Sequence, residues 1–353
     1  MTGILVALTS GALIGSASAQ TASYQQTDLV SNTPHAAAHF ERSLVTPWGL
    51  AISPAGGFAI ASNGLGTFAT YDADGDQLAL VARVAGPPQL EANPGPSGVV
   101  SNPTGTFVAE GSLFSPLLFA TADGTISGQY SDSNGDILET TILAVDHSAQ
   151  GAVYTGLAIL TPNCCAPFLA VANFKSGFIE TYTGLFDPLG IPGAFVDPQL
   201  PVGYSPFNVQ VISGEVFVTY ALRNTAKAAA VVGAGNGIVD IYQLDGTFIR
   251  RFVSHGQLNA PWGVAKASAK FGTFSNDILI ANFGDGTINA FNPVTGAFTG
   301  QIKNAAGKAI VNPGLRGIVF GTSGTGDPNT LYFTSGVLGQ TSLFGAISAT
   351  PAK

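Results

Sequence analysis

Charge is scarce in this sequence. Asp, Glu, Lys and Arg make up 10% of its 353 residues, against about 25% in an average soluble domain, which excludes a disordered chain and long solvated helices. Basic residues are the scarcer sign. Thirteen Lys and Arg against 21 Asp and Glu leave a net charge of −8, so no positive field exists to neutralise phosphates. DNA and RNA are therefore excluded as partners, and acidic membrane surfaces are disfavoured. No stretch reaches the roughly 18 uninterrupted apolar residues that a membrane span needs, and there is no Asn-x-Ser/Thr acceptor for an N-glycan. Only four histidines are present, His35, His39, His147 and His255, with no His-Glu-x-x-His and no Gly-x-Ser-x-Gly. The two cysteines have no neighbouring His with which to complete a zinc site.

What is abundant is glycine, 45 residues, within a chain that is 46% hydrophobic. The first twenty residues, MTGILVALTSGALIGSASAQ, join a short apolar run to Ala17-Ser18-Ala19, a small-x-small cleavage pattern. Residues 1–19 are expected to be a signal peptide and the mature chain, residues 20–353, a secreted, soluble single domain. No Lys or Arg precedes the apolar run, a departure from the usual signal.

Internal repetition decides the fold. TPWGLAISPAGGFAIASNGLGTFATYDADG from Thr46 and APWGVAKASAKFGTFSNDILIANFGDGTINAF from Ala260 are one pattern used twice. Trp48 and Trp262 lie 214 residues apart, and weaker copies of the phrase stand at Pro96, Tyr154, Ser205 and Pro313. Four steps over that distance give about 53 residues each, so the mature chain holds about six units, the size and number of propeller blades. Each unit reads as four short strands: the Pro-x-Gly phrase, a buried run such as FAIASN or FLAVANF, an alternating segment after a Gly turn, and a fourth strand after a turn such as Asp74-Gly75 or Asp245-Gly246. The expected fold is an all-β, six-bladed β-propeller. Its last unit lacks a strand, while Tyr24 to Ser31 near the N-terminus lacks a partner, so pairing the two would close the ring and remove exposed sheet edges.

The segments YQQTDLVSN, TPWGL, VANFKSGFIETYTGLF, GAGNGIVDIYQLDGTFIRRF and NAPWGVA together resemble an uncharacterised family of secreted six-bladed β-propellers related to NHL-repeat proteins, known in bacteria and fungi. The resemblance spans Tyr24 to Ile347. It implies architecture and carries no established activity. Cys164-Cys165 is not part of the family pattern.

In a four-stranded blade the loop into the first strand and the turn after the second open on one face. That face is expected to collect Trp48, Phe207, Trp262 and Arg316 from the incoming loops, and Asn63, Asp123, Asn173, Asn282 and Asp285 from the turns. A ring of amides and carboxylates over a central channel can coordinate a hard cation such as calcium, with Asn63, Asn173 and Asn282 as its candidate ligands, or hydrogen-bond a polar molecule. Turn chemistry explains the same recurrence, because Asn and Asp tolerate left-handed backbone and cap their own loops. The insertion Leu222 to Gly237 arches over this face as a lid with Arg223 and Lys227 toward anions, or is an ordinary solvated loop. His255 is the candidate general base or metal ligand, its alternative being an exposed loop histidine.

Cys164 and Cys165 are adjacent, with α-carbons about 3.8 Å apart, below the usual disulfide range of about 4.4–6.8 Å. A strained vicinal bridge is expected in an oxidising compartment, free thiols or a bridge to another chain being the alternatives. Asp72, Asp74 and Asp76 alternate like a calcium loop, as do Asp132, Asn134 and Asp136, yet position twelve is Arg83 or Leu143 rather than Glu. Both read as hairpin turns. Asp146-His147-Ser148 holds triad residue types but ends the second blade.

Three functions fit. The first is a monomeric binding module that takes a small molecule, glycan or secreted protein on its central face. The second is a metal-assisted lyase, isomerase or lactonase-like hydrolase, for which Glu110 and Glu180 are the acids nearest the face by sequence. The third is a surface or matrix protein.

Overall fold

A computed structural model describes residues 23–79, 81–89, 93–109, 113–130, 138–226 and 229–350. The expected signal peptide, Glu110, Lys227 and the Asp132-Asn134-Asp136 turn lie outside them. Six sheets, antiparallel but for one parallel pair between Tyr24–Ser31 and His39–Phe40, stand around one axis with a small two-stranded sheet beside them, and the only helical turns among the described residues are the short 3-10 segments Ser148–Gln150 and Gly272–Phe274. The chain is a six-bladed β-propeller.

The first blade comprises Pro47–Ile52, Phe58–Ser62, Thr67–Tyr71 and Ala82–Arg83; the second, Pro96–Ser101, Leu117–Thr121, Thr125–Gly128 and Ile142–Asp146. The third has Tyr154–Leu160, Phe168–Asn173 and Phe178–Tyr182; the fourth, Tyr204–Ile212, Glu215–Leu222, Ile238–Tyr242 and Phe248–Ser254. The fifth has Pro261–Lys266, Ile278–Asn282, Ile288–Phe291 and Phe298–Gln301. Ile318–Phe320, Leu331–Ser335 and Leu343–Ala349 begin the sixth, and Tyr24–Ser31 completes it by pairing antiparallel with Leu343–Ala349. The ring is latched where the sequence places the latch.

Each second strand lies between two neighbouring blades, which explains its unbroken apolar character. Phe58–Ser62, Leu117–Thr121, Phe168–Asn173, Ile278–Asn282 and Leu331–Ser335 are buried at every residue. Aromatic rings fill the wedges between blades: Phe58 against Tyr332 and Phe344, and Phe68 against Phe119. The latch is pinned sideways as well. Tyr24 packs on Phe271, donates its hydroxyl to the Phe271 carbonyl and accepts the Phe274 N–H. Burial pushes its phenol up to about 12, so it remains a donor at any physiological pH.

The third blade departs from the expected four strands. After Tyr182 the chain enters residues 183–203, where Pro188, Pro192, Pro198 and Pro201 recur. Proline has no N–H to give a ladder, and the segment contributes only an isolated bridge, Tyr182 to Pro188. A folded-back loop thus covers the outer edge of this blade instead of a strand.

Candidate functional site

The repeated Pro-x-Gly phrase builds the axis. Gly49, Gly98, Gly156 and Gly263 occupy equivalent places on four first strands and Gly317 directly precedes a fifth, and each faces the first strand of the next blade or the residue before it. A Cβ on Gly49 would stand 2.5 Å from the Val99 nitrogen, and one on Gly317 would stand 2.9 Å from the Trp48 carbonyl. Glycine is required there because backbone approaches backbone. In the fourth blade Asn208 takes the place, and its amide donates to the Trp262 carbonyl at 3.0 Å. Thr46 and Ala260, each just before the proline of its phrase, both hold a left-handed φ, +45° and +47°. Both copies of the pattern therefore share a backbone that non-glycine residues rarely adopt.

The residues before these glycines close the axis. The Arg316 guanidinium lies 4.2 Å from the Trp48 ring centre and 4.4 Å from that of Phe283. Phe207 packs on Phe283 and Phe174, and the Trp262 indole reaches across to donate to the Thr155 carbonyl at 2.9 Å. Arg316 is buried and, among the described residues, has no carboxylate partner; it donates to the carbonyls of Gly314 and Gly336, while its Nε finds no partner among them. Burial pulls its pKa down to about 9, which leaves it cationic at neutral pH, sheltered by the two aromatic faces. Trp48, Phe207, Trp262 and Arg316 thus converge as the sequence indicates, and they form a packed plug.

The expected face also gathers the amides and carboxylates, each holding a loop. Asn63 donates to the Pro96 carbonyl, and Asp123 accepts the Gly95 N–H at 2.6 Å. Asn282 accepts the Asn259 N–H and donates to the Gln257 carbonyl; exposed Asp285 accepts from Thr287. Asn173 accepts from the N–H groups of Val153, Lys175 and Ser176. The oxygens of Asn173 and Asn282 that a cation would need already serve the backbone. No group of three or more His, Cys, Asp or Glu is placed to hold a metal among the described residues. Arg223 donates to the Lys175 carbonyl, and Gly233 and Gly235 donate to Asn259 and Leu258, so the insertion drapes from the third blade to the fifth. Exposed His255 shares a hydrogen bond with the Gly235 carbonyl and meets the edge of Tyr204, holding the insertion from below.

One sequence candidate leads to chemistry off the axis. Asn173 Nδ2 donates to Glu180 Oε1 at 2.6 Å, and Glu180 Oε2 receives the hydroxyls of Tyr154 at 2.7 Å and Tyr182 at 2.8 Å. His147 Nδ1 lies 2.8 Å from the Tyr154 hydroxyl and 3.7 Å from Glu180 Oε2. Burial raises both phenols far above their ordinary value, Tyr154 further through its bonds to Tyr182 and Glu180. Each phenol has one proton, and the two hydroxyls divide them among Glu180, each other at 2.9 Å and His147 Nδ1, which lies 2.8 Å from Tyr154 and 3.3 Å from Tyr182. In the arrangement in which both phenol protons go to Glu180, His147 Nδ1 donates to the Tyr154 oxygen and the free lone pair of the ring is on Nε2. His147, Glu180 and Tyr182 line a cavity of about 260 Å³ with Pro188, Ile191 and Phe195 from the folded-back loop. His147 comes from the end of the second blade and Tyr154 begins the third. Their meeting depends on the angle between blades; Glu180, Asn173 and His147 stood out in the sequence, His147 only as the end of the second blade, and Tyr154 and Tyr182 did not stand out as site residues.

This architecture is shared with six-bladed β-propellers of solved structure. The structure of a PQQ-bound aldose sugar dehydrogenase from Streptomyces coelicolor superposes with a TM-score of 0.52 at 15% identity, over 94% of this chain and 100% of that one. A streptogramin B lyase superposes with a TM-score of 0.53 at 11% identity, over 94% and 98%. At such identities the likeness is one of fold. The chain is 32% identical over 317 residues to the uncharacterized protein R648 of Acanthamoeba polyphaga mimivirus, over 88% of this chain and 76% of the viral one. It belongs to one family with that protein. No protein-family model matches it.

Proposed function

We propose that this chain is an exported ligand-binding propeller that holds a small polyhydroxylated molecule, about one sugar residue in size, in the cavity lined by His147 and Glu180. The observation that carries the reading is the donor and acceptor balance there. Glu180 receives three hydrogen bonds and keeps one lone-pair direction, and with His147 Nδ1 donating to Tyr154 the ring keeps Nε2 as an acceptor. Both phenol protons are already committed. A ligand that supplies hydroxyl donors completes this set, and one that supplies only acceptors does not. The cavity of about 260 Å³ is smaller than drug-sized sites of about 300–1,000 Å³. The central face, the site expected from the repeats, is occupied by the Trp48-Arg316-Phe283 plug, so the ligand sits beside the third blade. The small-x-small pattern at Ala17 to Ala19 supports export.

A second reading rests on His147 itself. An unprotonated Nε2 is a general base, and the imidazolium formed when it takes a proton from a bound hydroxyl would face Glu180 Oε2 at 3.7 Å. That is the proton-abstraction half of a lyase or isomerase reaction. The test of both readings is isothermal titration with a panel of neutral monosaccharides, deoxy sugars and small polyols. At least one should bind the wild type, with affinity reduced about tenfold or more, the loss of one charged hydrogen bond, in Glu180→Gln and His147→Ala. Absence of binding across the panel, or equal binding by variants that melt like the wild type, overturns the proposal. Chemical change of the bound molecule by the wild type, lost in His147→Ala, selects the second reading.

A further inference from the structure

The folded-back loop that replaces a strand in the third blade shapes a second cavity on its other side. Its volume is about 580 Å³, within the range of sites that enclose a drug-sized molecule. Phe168, Leu189, Ile191, Pro192 and Phe248 give it apolar walls, and Cys164, Cys165 and Ala166 form its rim. The sulfurs of the cysteine pair touch each other, so the rim presents a soft, polarizable surface in place of two separate polar thiols.

Among the described residues a single charged group lines this cavity. It is Asp245, beside Thr247, and no described Lys, Arg or His joins it on the walls. Its carboxylate accepts the Thr247 N–H at 2.9 Å, and that bond holds it below the usual carboxylate range. It is therefore an anion at neutral pH. A neutral or anionic apolar molecule would gain nothing from that carboxylate, whereas a cation would.

We infer that this cavity binds a flat apolar molecule bearing a primary or secondary ammonium, with the ring system between Phe168, Leu189 and the cysteine rim and the ammonium at Asp245. The site is separate from the His147 and Glu180 cavity. Ile191 and Ala194 line both, so variants that test this inference must leave those two residues intact.

Two fluorescent probes separate the contributions: dansylcadaverine, an aromatic sulfonamide with a primary ammonium arm, and dansylamide, the same ring system without the cation. Dansylcadaverine should bind the purified full chain saturably, with a blue-shifted and brighter emission, and at least fivefold more tightly than dansylamide. Asp245→Asn should abolish that preference while leaving dansylamide unchanged. Ala166→Trp, which puts an indole at the rim, should weaken both probes by at least tenfold, and Leu189→Asp should do the same from the opposite wall should the indole disturb the turn. The inference is overturned by the absence of saturable binding, by equal affinities for the two probes, or by variants that melt like the wild type and bind as it does.

Discussion

Asn173 Nδ2 stands 2.6 Å from Glu180 Oε1 while its own oxygen accepts three backbone N–H groups. One amide therefore caps the turn after the second strand of the third blade and aims the carboxylate of the third strand. Asn173→Ala removes both functions. Losing the cap on three part-buried N–H groups and releasing the carboxylate should cost about 1–2 kcal/mol, read as a lower urea midpoint. Asn173→Asp keeps the cap but sets a second carboxylate against Glu180, so it should cost less stability while still weakening any sugar ligand.

The ring of glycines predicts a sharp contrast. A methyl on Gly263 runs into the Arg316 carbonyl, whereas one on Gly105 meets nothing within 4 Å. Gly263→Ala should destabilise the protein by about 3 kcal/mol or prevent its accumulation, since neither backbone can retreat. Gly105→Ala should melt within a degree or two of the wild type.

Closure of the ring depends on Tyr24–Ser31. Deleting the chain through Ser31 uncovers the edge of Leu343–Ala349 and opens the interface at Phe271, so size-exclusion chromatography should show soluble aggregates. Tyr24→Phe is milder. It removes the donor to the Phe271 carbonyl and the acceptor for the Phe274 N–H, a loss of about 1–2 kcal/mol without aggregation.

Asp240 gives a pH dependence. Its side chain is buried in the fourth blade beside Tyr220 and Tyr242, with Arg251 donating to it and to Asp197. Burial, then the charge of Asp197, push its carboxyl up to about 7, and Arg251 opposes them. The unfolded chain releases this proton near pH 4, so between about pH 4 and pH 7 the folded state holds a proton that the unfolded state has lost. This residue therefore lowers stability as pH rises through that window. Urea midpoints at pH 4.5 and 7.5 should show Asp240→Asn gaining on the wild type at the higher pH.

Much of the fold was legible because its repetition is chemical. TPWG and APWG read alike because both need a left-handed residue, a proline and a glycine at the axis, and Tyr24–Ser31 was identifiable by its lack of a partner. The loop-capping Asn and Asp recur for the same reason. The third blade's missing strand was signalled by the prolines after Tyr182, a pattern that alternation elsewhere obscured. Arg316 was correctly drawn to the axis, yet nothing local in the sequence tells that Phe283 and Trp48 close over it. His147 and Tyr154 belong to different blades, and their convergence on Glu180 follows from packing alone.

The most direct test is the protonation of His147. Nitrogen-15 NMR of histidine-labelled protein at pH 8, with the signal assigned by its absence in His147→Gln, reports which ring nitrogen carries the proton. The proposed sugar site has the proton on Nδ1 and an unprotonated Nε2, and a titration with any bound sugar should perturb Nε2. A proton on Nε2 in the free protein would contradict the account.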